Sequence, residues 1–219
     1  MELFRFKLPV MSQAVDPHRD RISRRQADKF AQRRAQLASS ALLTLSELGY
    51  ARTSLREIAQ NSEFSHGVLH YYFRDKVDLI TFCVRQYKAE CVTRYDQVVA
   101  TAPSGPELRD GVAEAMTRTL LEDATMHRLW YDLRNQSLFE NSFRADVREI
   151  DESLERMIVR VVTRYAELSG SRLAVPTRLA YAMFDGAFQH ALLGHLAGDE
   201  HAAAELGDDV GHVLDKVVA

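Results

Sequence analysis

The sequence predicts an all-α chain, with a small helical front unit followed by a larger helical bundle. Three observations carry that prediction. Apolar residues recur three, four or seven positions apart over most of the 219 residues, the spacing of one helix face. Alternation of β-branched residues, the mark of strands, is nearly absent. Residues that cap or stop helices stand at the joins between the periodic stretches. Hydrophobic residues make up 46% and charged residues 27%, which excludes a disordered or collagen-like chain. A chain of this length buries on the order of 70% of its unfolded surface, so its stability needs neither disulfides nor metal.

The elements follow in order. Residues 1–20 hold Pro9 and Pro17 with no consistent period, which predicts a flexible arm; Met11 within it is a second plausible translation start. From about Gln26, the residues Phe30, Leu37, Ala41, Leu45 and Leu48 form an amphipathic stripe, closed by a Gly49 C-cap. Ser54-Leu55-Arg56-Glu57 has capping-box spacing and opens a short helix to about Asn61. Ser65 is the N-cap of a second short helix to about Tyr72. Asp75 caps a long helix to Ala102, with Ile80, Val84, Tyr87, Cys91 and Val98 on one face, and Pro103-Ser104-Gly105-Pro106 ends it. Five more helices are expected: from Pro106 or Glu107 to Glu122, Ala124 to Leu138, Asn141 to Leu168, Pro176 to Ala197, and Asp199 to Val218. This divides the chain into an arm over 1–20, a front unit over 21–74 and a larger domain over 75–219.

Cys83 and Cys91 lie eight residues apart on one helix, about 12 Å and too far to bridge. No apolar run approaches the roughly 18 residues of a membrane span, and the first residues lack the apolar stretch of a secretory signal. The expectation is a reduced, cytoplasmic protein with no membrane partner. Net charge is −3, but it is unevenly distributed: residues 1–90 hold 15 Lys/Arg against 10 Asp/Glu, and residues 91–219 hold 13 against 21. A basic front and an acidic back suit a front that meets a polyanion.

Residues 53–76 carry the functional signal. Two helices of about two turns joined by three residues make a helix-turn-helix candidate. Ala59 is small enough for a close helix crossing, and Phe64 with Val68 or Leu69 fills the angle. The second helix must fit a major groove about 12 Å wide and present donors near its N-terminal end. Ser65, His66, His70 and Tyr71 supply hydroxyl and imidazole groups there, and Gly67 lets the backbone approach closely. Lys76, at the next helix start, is placed as a phosphate clamp. Arg24, Arg25, Arg33 and Arg34 read either as a solvated face or as a basic arm reaching phosphates or the minor groove.

Ile58-Ala59, followed by Ser65-x-Gly67-x-Leu69-x-x-Tyr72-Phe73-x-x-Lys76-x-x-Leu79, resembles the DNA-binding signature of the TetR/AcrR family of bacterial transcriptional regulators. The resemblance spans about residues 24–80. It implies a homodimer with an N-terminal three-helix DNA-binding domain and a C-terminal ligand-binding and dimerisation domain. By position it implies a base or phosphate contact for Arg56, a recognition face of His66, Gly67, His70 and Tyr71, and phosphate contacts for Tyr72 and Lys76. Two positions depart from the family's pattern: Glu63 stands where the turn often has glycine, and His70 replaces the usual phosphate-binding tyrosine. The function implied is a repressor that a small-molecule effector releases from a palindromic double-stranded operator. Two other readings stay open: an effector-independent architectural or cell-division factor on the same fold, and a helical small-molecule-binding protein that does not bind DNA.

In the larger domain, Trp130, Tyr131, Asn135 and Phe139, with Tyr165, Phe184 and Phe188, are the candidate ligand-binding residues: aromatic bodies with a few polar groups, as in an interhelical pocket. Ordinary core packing is the competing reading for each. Ala182, Gly186 and Gly194 are small residues at helical spacing, fit for close approach of a partner's helices. No Gly-rich phosphate loop, Gly-x-Ser-x-Gly or His-Glu-x-x-His motif occurs, so no catalytic residues, metal or cofactor are expected.

Overall fold

The computed structural model describes residues 17–219, with side chains from residue 25 onward. The expected arm lies outside the described residues as far as residue 16, and so does the Arg24 side chain. Among the described residues there are nine helices and one isolated antiparallel bridge, Leu173 with Val218.

The front unit comprises α1 (Pro17–Leu48), α2 (Leu55–Gln60) and α3 (His66–Tyr72). The first helix begins at Pro17, ahead of the Gln26 that periodicity indicates; the proline ring is compatible with a first helical turn. Leu37, Ala38, Ala41 and Leu45 form its fully buried stripe, and Gly49 stops it at φ +74°. The predicted caps form: Ser54 Oγ accepts from Glu57 N at 3.2 Å and Ser65 Oγ from Val68 N at 3.3 Å. Each satisfies an N–H the short helix cannot, worth about 1 kcal/mol. Leu55, Ile58, Phe64, Leu69 and Phe73 close the unit's core.

The expected single helix from Asp75 to Ala102 is two helices, α4 (Lys76–Cys91) and α5 (Asp96–Thr101). Asp75 caps the first, accepting from Asp78 N at 2.8 Å. The break needs no proline or glycine. Arg94 pairs with Asp123 at 2.5 Å, Tyr95 is buried, and tertiary contacts at this turn outweigh helix continuation. The two helices expected over 106–138 form and meet where the sequence places their ends: α6 (Gly105–Gln136) is two helical stretches joined across a kink at Asp123, whose backbone (φ −123°, ψ 19°) is not helical.

Three helices complete the bundle: α7 (Arg144–Leu168), α8 (Thr177–Leu196) and α9 (Ala202–Lys216). On α7 Val147, Ile150, Leu154, Met157, Ile158, Val161 and Val162 make the buried stripe. The last helix packs between α6 and α8, where Gly207 and Gly211 face Thr117 and Arg109, and Gly194 of α8 faces Ala202. No helix among the described residues is long and apolar enough to cross a membrane.

Candidate nucleic-acid interface and internal cavity

The outer face of α3 is an open polar surface. Leu69 is fully buried beneath it, while His66, Gly67, His70 and Tyr71 are exposed, Tyr71 by 72%. The two imidazoles face each other across one helical turn, Nε2 to Nε2 at 3.1 Å, one donating and the other accepting. A Cβ on Gly67 would meet no neighbouring atom, so nothing inside the protein requires a glycine there. Phe30 of α1 packs on Tyr72 with centroids 4.7 Å apart and on Tyr71 at 6.0 Å, fixing both rings. Arg56 is exposed on α2.

Three of the expected DNA contacts are engaged within the protein. The Ser65 hydroxyl holds the α3 cap. Tyr72 is half-buried against Phe30. Lys76, expected at a phosphate, turns inward: its Nζ donates to the Tyr50 carbonyl at 3.0 Å and sits 4.1 Å from the Tyr50 ring centre. Neither reading of the arginine cluster fits Arg34, which lies over Phe73 and Phe82 and pairs with Asp78 at 2.6 Å, pinning α1 to α4. Arg33 stacks on Phe64.

A second site lies in the bundle, where α4, α6, α7 and α8 line a partly open cavity of about 60 Å³. That is small beside the roughly 300–1,000 Å³ of ordinary small-molecule pockets. Of the residues expected there, Trp130, Tyr131, Phe184 and Phe188 line it. The other three do not. Asn135 is exposed, Phe139 is 85% exposed on the turn after α6, and buried Tyr165 donates its hydroxyl to Asp215 of α9 at 2.6 Å. Phe139 follows the end of the helix, beyond the reach of its buried face.

Two lining residues that composition does not single out are Lys88 and His127, the lysine 2% exposed. Lys88 Nζ lies 3.3 Å from His127 Nδ1 and 5.3 Å from the Trp130 ring. Burial pushes the lysine down to about 8. His127 is held well below its ordinary value, first by burial and then by the charges of Lys88 and Arg94. Asp185, the carboxylate on the wall, is held by Arg134 at 2.5 Å and by the Tyr131 hydroxyl at 3.0 Å. Among the described residues no three His, Cys, Asp or Glu side chains converge as a metal site.

The two sites share elements. Lys76 at one end of α4 anchors Tyr50, and Lys88 three turns later reaches the cavity. Between the cavity residues His127 and Tyr131 on α6, Arg128 donates to the Ser46 carbonyl at the end of α1. One turn on, Asp132 accepts from Tyr50 N at 2.7 Å, and the Tyr50 hydroxyl donates to Glu140 at 2.8 Å.

Residues 37–81 match the family model for bacterial regulatory proteins of the tetR family. The chain is 29% identical over 198 residues to the HTH-type transcriptional regulator BetI of Burkholderia mallei, covering 85% of this chain and 94% of that one. Its fold is similar to that of the transcriptional regulator FadR from Bacillus subtilis, solved with stearoyl-CoA (TM-score 0.68, 17% identity, 82% of this chain and 96% of that one). It is similar as well to a transcriptional regulator from Saccharomonospora viridis solved with choline (TM-score 0.70, 13% identity, 86% and 98%).

Proposed function

We propose that this chain is a DNA-binding regulator of the TetR family, whose model its residues 37–81 match, and that it acts as a homodimeric repressor released from a palindromic operator by a small molecule in the bundle cavity. The DNA-binding unit is assigned to residues 21–74 and the effector and dimerisation domain to 75–219. His66, Gly67, His70 and Tyr71 read base edges and backbone in the major groove, with Arg56 beside them on α2. Ser65, Tyr72 and Lys76 hold the shape of that surface, and reach phosphate only through rearrangement of the bonds described above.

The observation that carries the effector reading is the shared framework. An occupant pressing on Lys88 or on the His127–Tyr131 turn acts on the same two helices that hold Tyr50 and the end of α1. Two recognition helices must fit successive major grooves about 34–36 Å apart, so a small tilt of α4 and α6 changes the fit. Coupling of about 1–3 kcal/mol suffices for a 5–150-fold loss of DNA affinity.

The outer face of α8 suits the dimer contact. Leu179, Ala182, Gly186, His190 and Leu193 are exposed along one stripe, Leu193 by 63%, and a Cβ on Gly186 would meet nothing. A row of small and apolar residues with one histidine, left open in one protomer, fits a second copy packing helix against helix.

The relatives do not select an effector, because one similar structure holds choline and another stearoyl-CoA. The test is a DNase footprint on the DNA flanking the gene, at about 150 mM salt, because phosphate contacts weaken steeply with salt. A protected palindrome that a His66→Ala, Tyr71→Ala protein no longer protects is the expected result. A folded dimer that protects no site there or in a genome-wide binding search contradicts the proposal.

A further inference from the structure

Three of the side chains lining the cavity, Lys88, His127 and Trp130, carry N–H donors that lack acceptors, whereas the Tyr131 and Tyr181 hydroxyls donate to Asp185 and Asp151. Lys88 is buried, and its ammonium has three hydrogens but no lone pair. Its bond to His127 therefore requires Nδ1 as the acceptor, which leaves the proton of the neutral ring on Nε2. That Nε2–H is buried without a partner, and so is the Trp130 Nε1–H. Among the described residues no carboxylate lies within ion-pair distance of Lys88, and Asp185 is already held by Arg134 and Tyr131. Buried donors are satisfied in nearly all native structures, and a buried charge is normally paired. Three lining side chains thus keep N–H groups with no acceptor, and an acceptor carrying negative charge would satisfy them and pair the lysine. Met116, Leu154, Met157, Ile158, Phe184 and Phe188 make the apolar part of the wall, and Tyr95, Tyr131, Tyr181 and the Arg134-held Asp185 complete it.

Resting on the effector reading above, we propose that the cavity takes a small organic carboxylate on an apolar body, its oxygens received by Lys88 Nζ, His127 Nε2–H and Trp130 Nε1–H. The body fills the Met116, Leu154, Met157 and Phe184 side and is no larger than a short aliphatic chain or one ring, given the 60 Å³ available. A quaternary ammonium ion meets the unpaired Lys88 charge and offers no acceptor. A neutral hydrocarbon leaves the same donors empty. A carboxylate supplies two acceptor oxygens and the compensating charge together.

The chain's single tryptophan is Trp130, on the cavity wall, so its emission reports any occupant whatever its charge. The full-length protein at pH 7 is titrated with butanoate, hexanoate, octanoate and benzoate, with the amide of each, and with trimethylammonium ions bearing the same bodies. At least one carboxylate is expected to change the emission and to bind at least tenfold more tightly than its amide and its ammonium counterpart. In Lys88→Met that preference disappears. Trp130→Phe, followed by calorimetry, keeps an aromatic ring but removes one donor, and is expected to weaken the carboxylate several-fold and the amide by less, because the charged oxygen is the stronger acceptor; this second variant covers a Lys88→Met protein that fails to fold. Emission changes with amides or ammonium ions but not carboxylates overturn the anion inference and leave the effector cavity standing. No emission change with any member of the series overturns both. Carboxylate binding that survives Lys88→Met at full strength overturns the assignment of the site.

Discussion

Lys88 makes a pH signature of its own. The unfolded chain keeps this proton to about pH 10.5, the folded chain only to about 8. Between those values the unfolded state binds more protons, so this group makes stability rise with pH; below about 8 the full cost of burying the ammonium is present. Cys83 and buried tyrosines such as Tyr95 and Tyr131 have raised values and act oppositely, since the unfolded chain gives up their protons first. The groups bearing on Lys88 are His127, Arg94, Cys91, Asp123 and Asp185, so the contribution is read as a difference. From pH 8 to about 9.5, wild-type stability is expected to rise relative to Lys88→Met in urea unfolding. Parallel curves contradict the burial of a charged amine. Gly67 gives a second expectation. It lies within α3 with open space around its Cα, so Gly67→Ala is expected to stabilise the fold by about 0.5–1 kcal/mol. The same change is expected to weaken DNA binding, because the added methyl faces the groove. Calorimetric unfolding and DNA titration check the two halves, and unchanged DNA affinity contradicts a close backbone approach. At this scale the sequence was partly readable. Lys88 stands four residues after Val84 and three before Cys91, inside the buried stripe of α4, and that misplaced charge was the legible signal for it. Nothing local reveals that Lys76 reaches Tyr50, since the partner is 26 residues away.

Among the elements, those with side-chain caps were the most legible. Ser54, Ser65 and Asp75 start their helices where the sequence places them, because the capping bond is local. The turn between α4 and α5 was not legible, since Val92-Thr93-Arg94-Tyr95 holds no glycine or proline, and Arg94 finds Asp123 only once α6 is in place. The kink in α6 was legible too, since the expected helix ends at Glu122 and Ala124 flank Asp123. Periodicity also did not say which neighbour each face of a bundle helix meets, and this misplaced Asn135, Phe139 and Tyr165 while Trp130, Tyr131, Phe184 and Phe188 fell together. For α8 the exposed stripe yields a direct expectation. Leu193→Glu puts two carboxylates into the proposed symmetric contact and is expected to weaken dimerisation by about 100-fold, or about 3 kcal/mol. Sedimentation equilibrium reads it. A dimer of unchanged affinity moves the interface away from α8.

For the whole molecule, the front unit and the bundle are joined through Tyr50, held from the bundle side by Asp132 and Glu140 and from α4 by Lys76. Arg85 adds a bridge from α4 to α7 through Asp146 and Glu149, the latter at 2.7 Å. The basic front and acidic back read from the sequence suit one surface for DNA and another kept away from it. In the proposed repressor, this arrangement makes DNA affinity depend on what the bundle holds and on how two copies are spaced. The most direct test of the central claim is selection from a random double-stranded DNA library by the purified full-length protein at about 150 mM salt. Enrichment of one palindrome, its half-sites about one helical turn apart and lost with His66→Ala, Tyr71→Ala, is the predicted result. No enriched motif, or a single half-site bound without symmetry, contradicts a dimeric repressor reading DNA through α3.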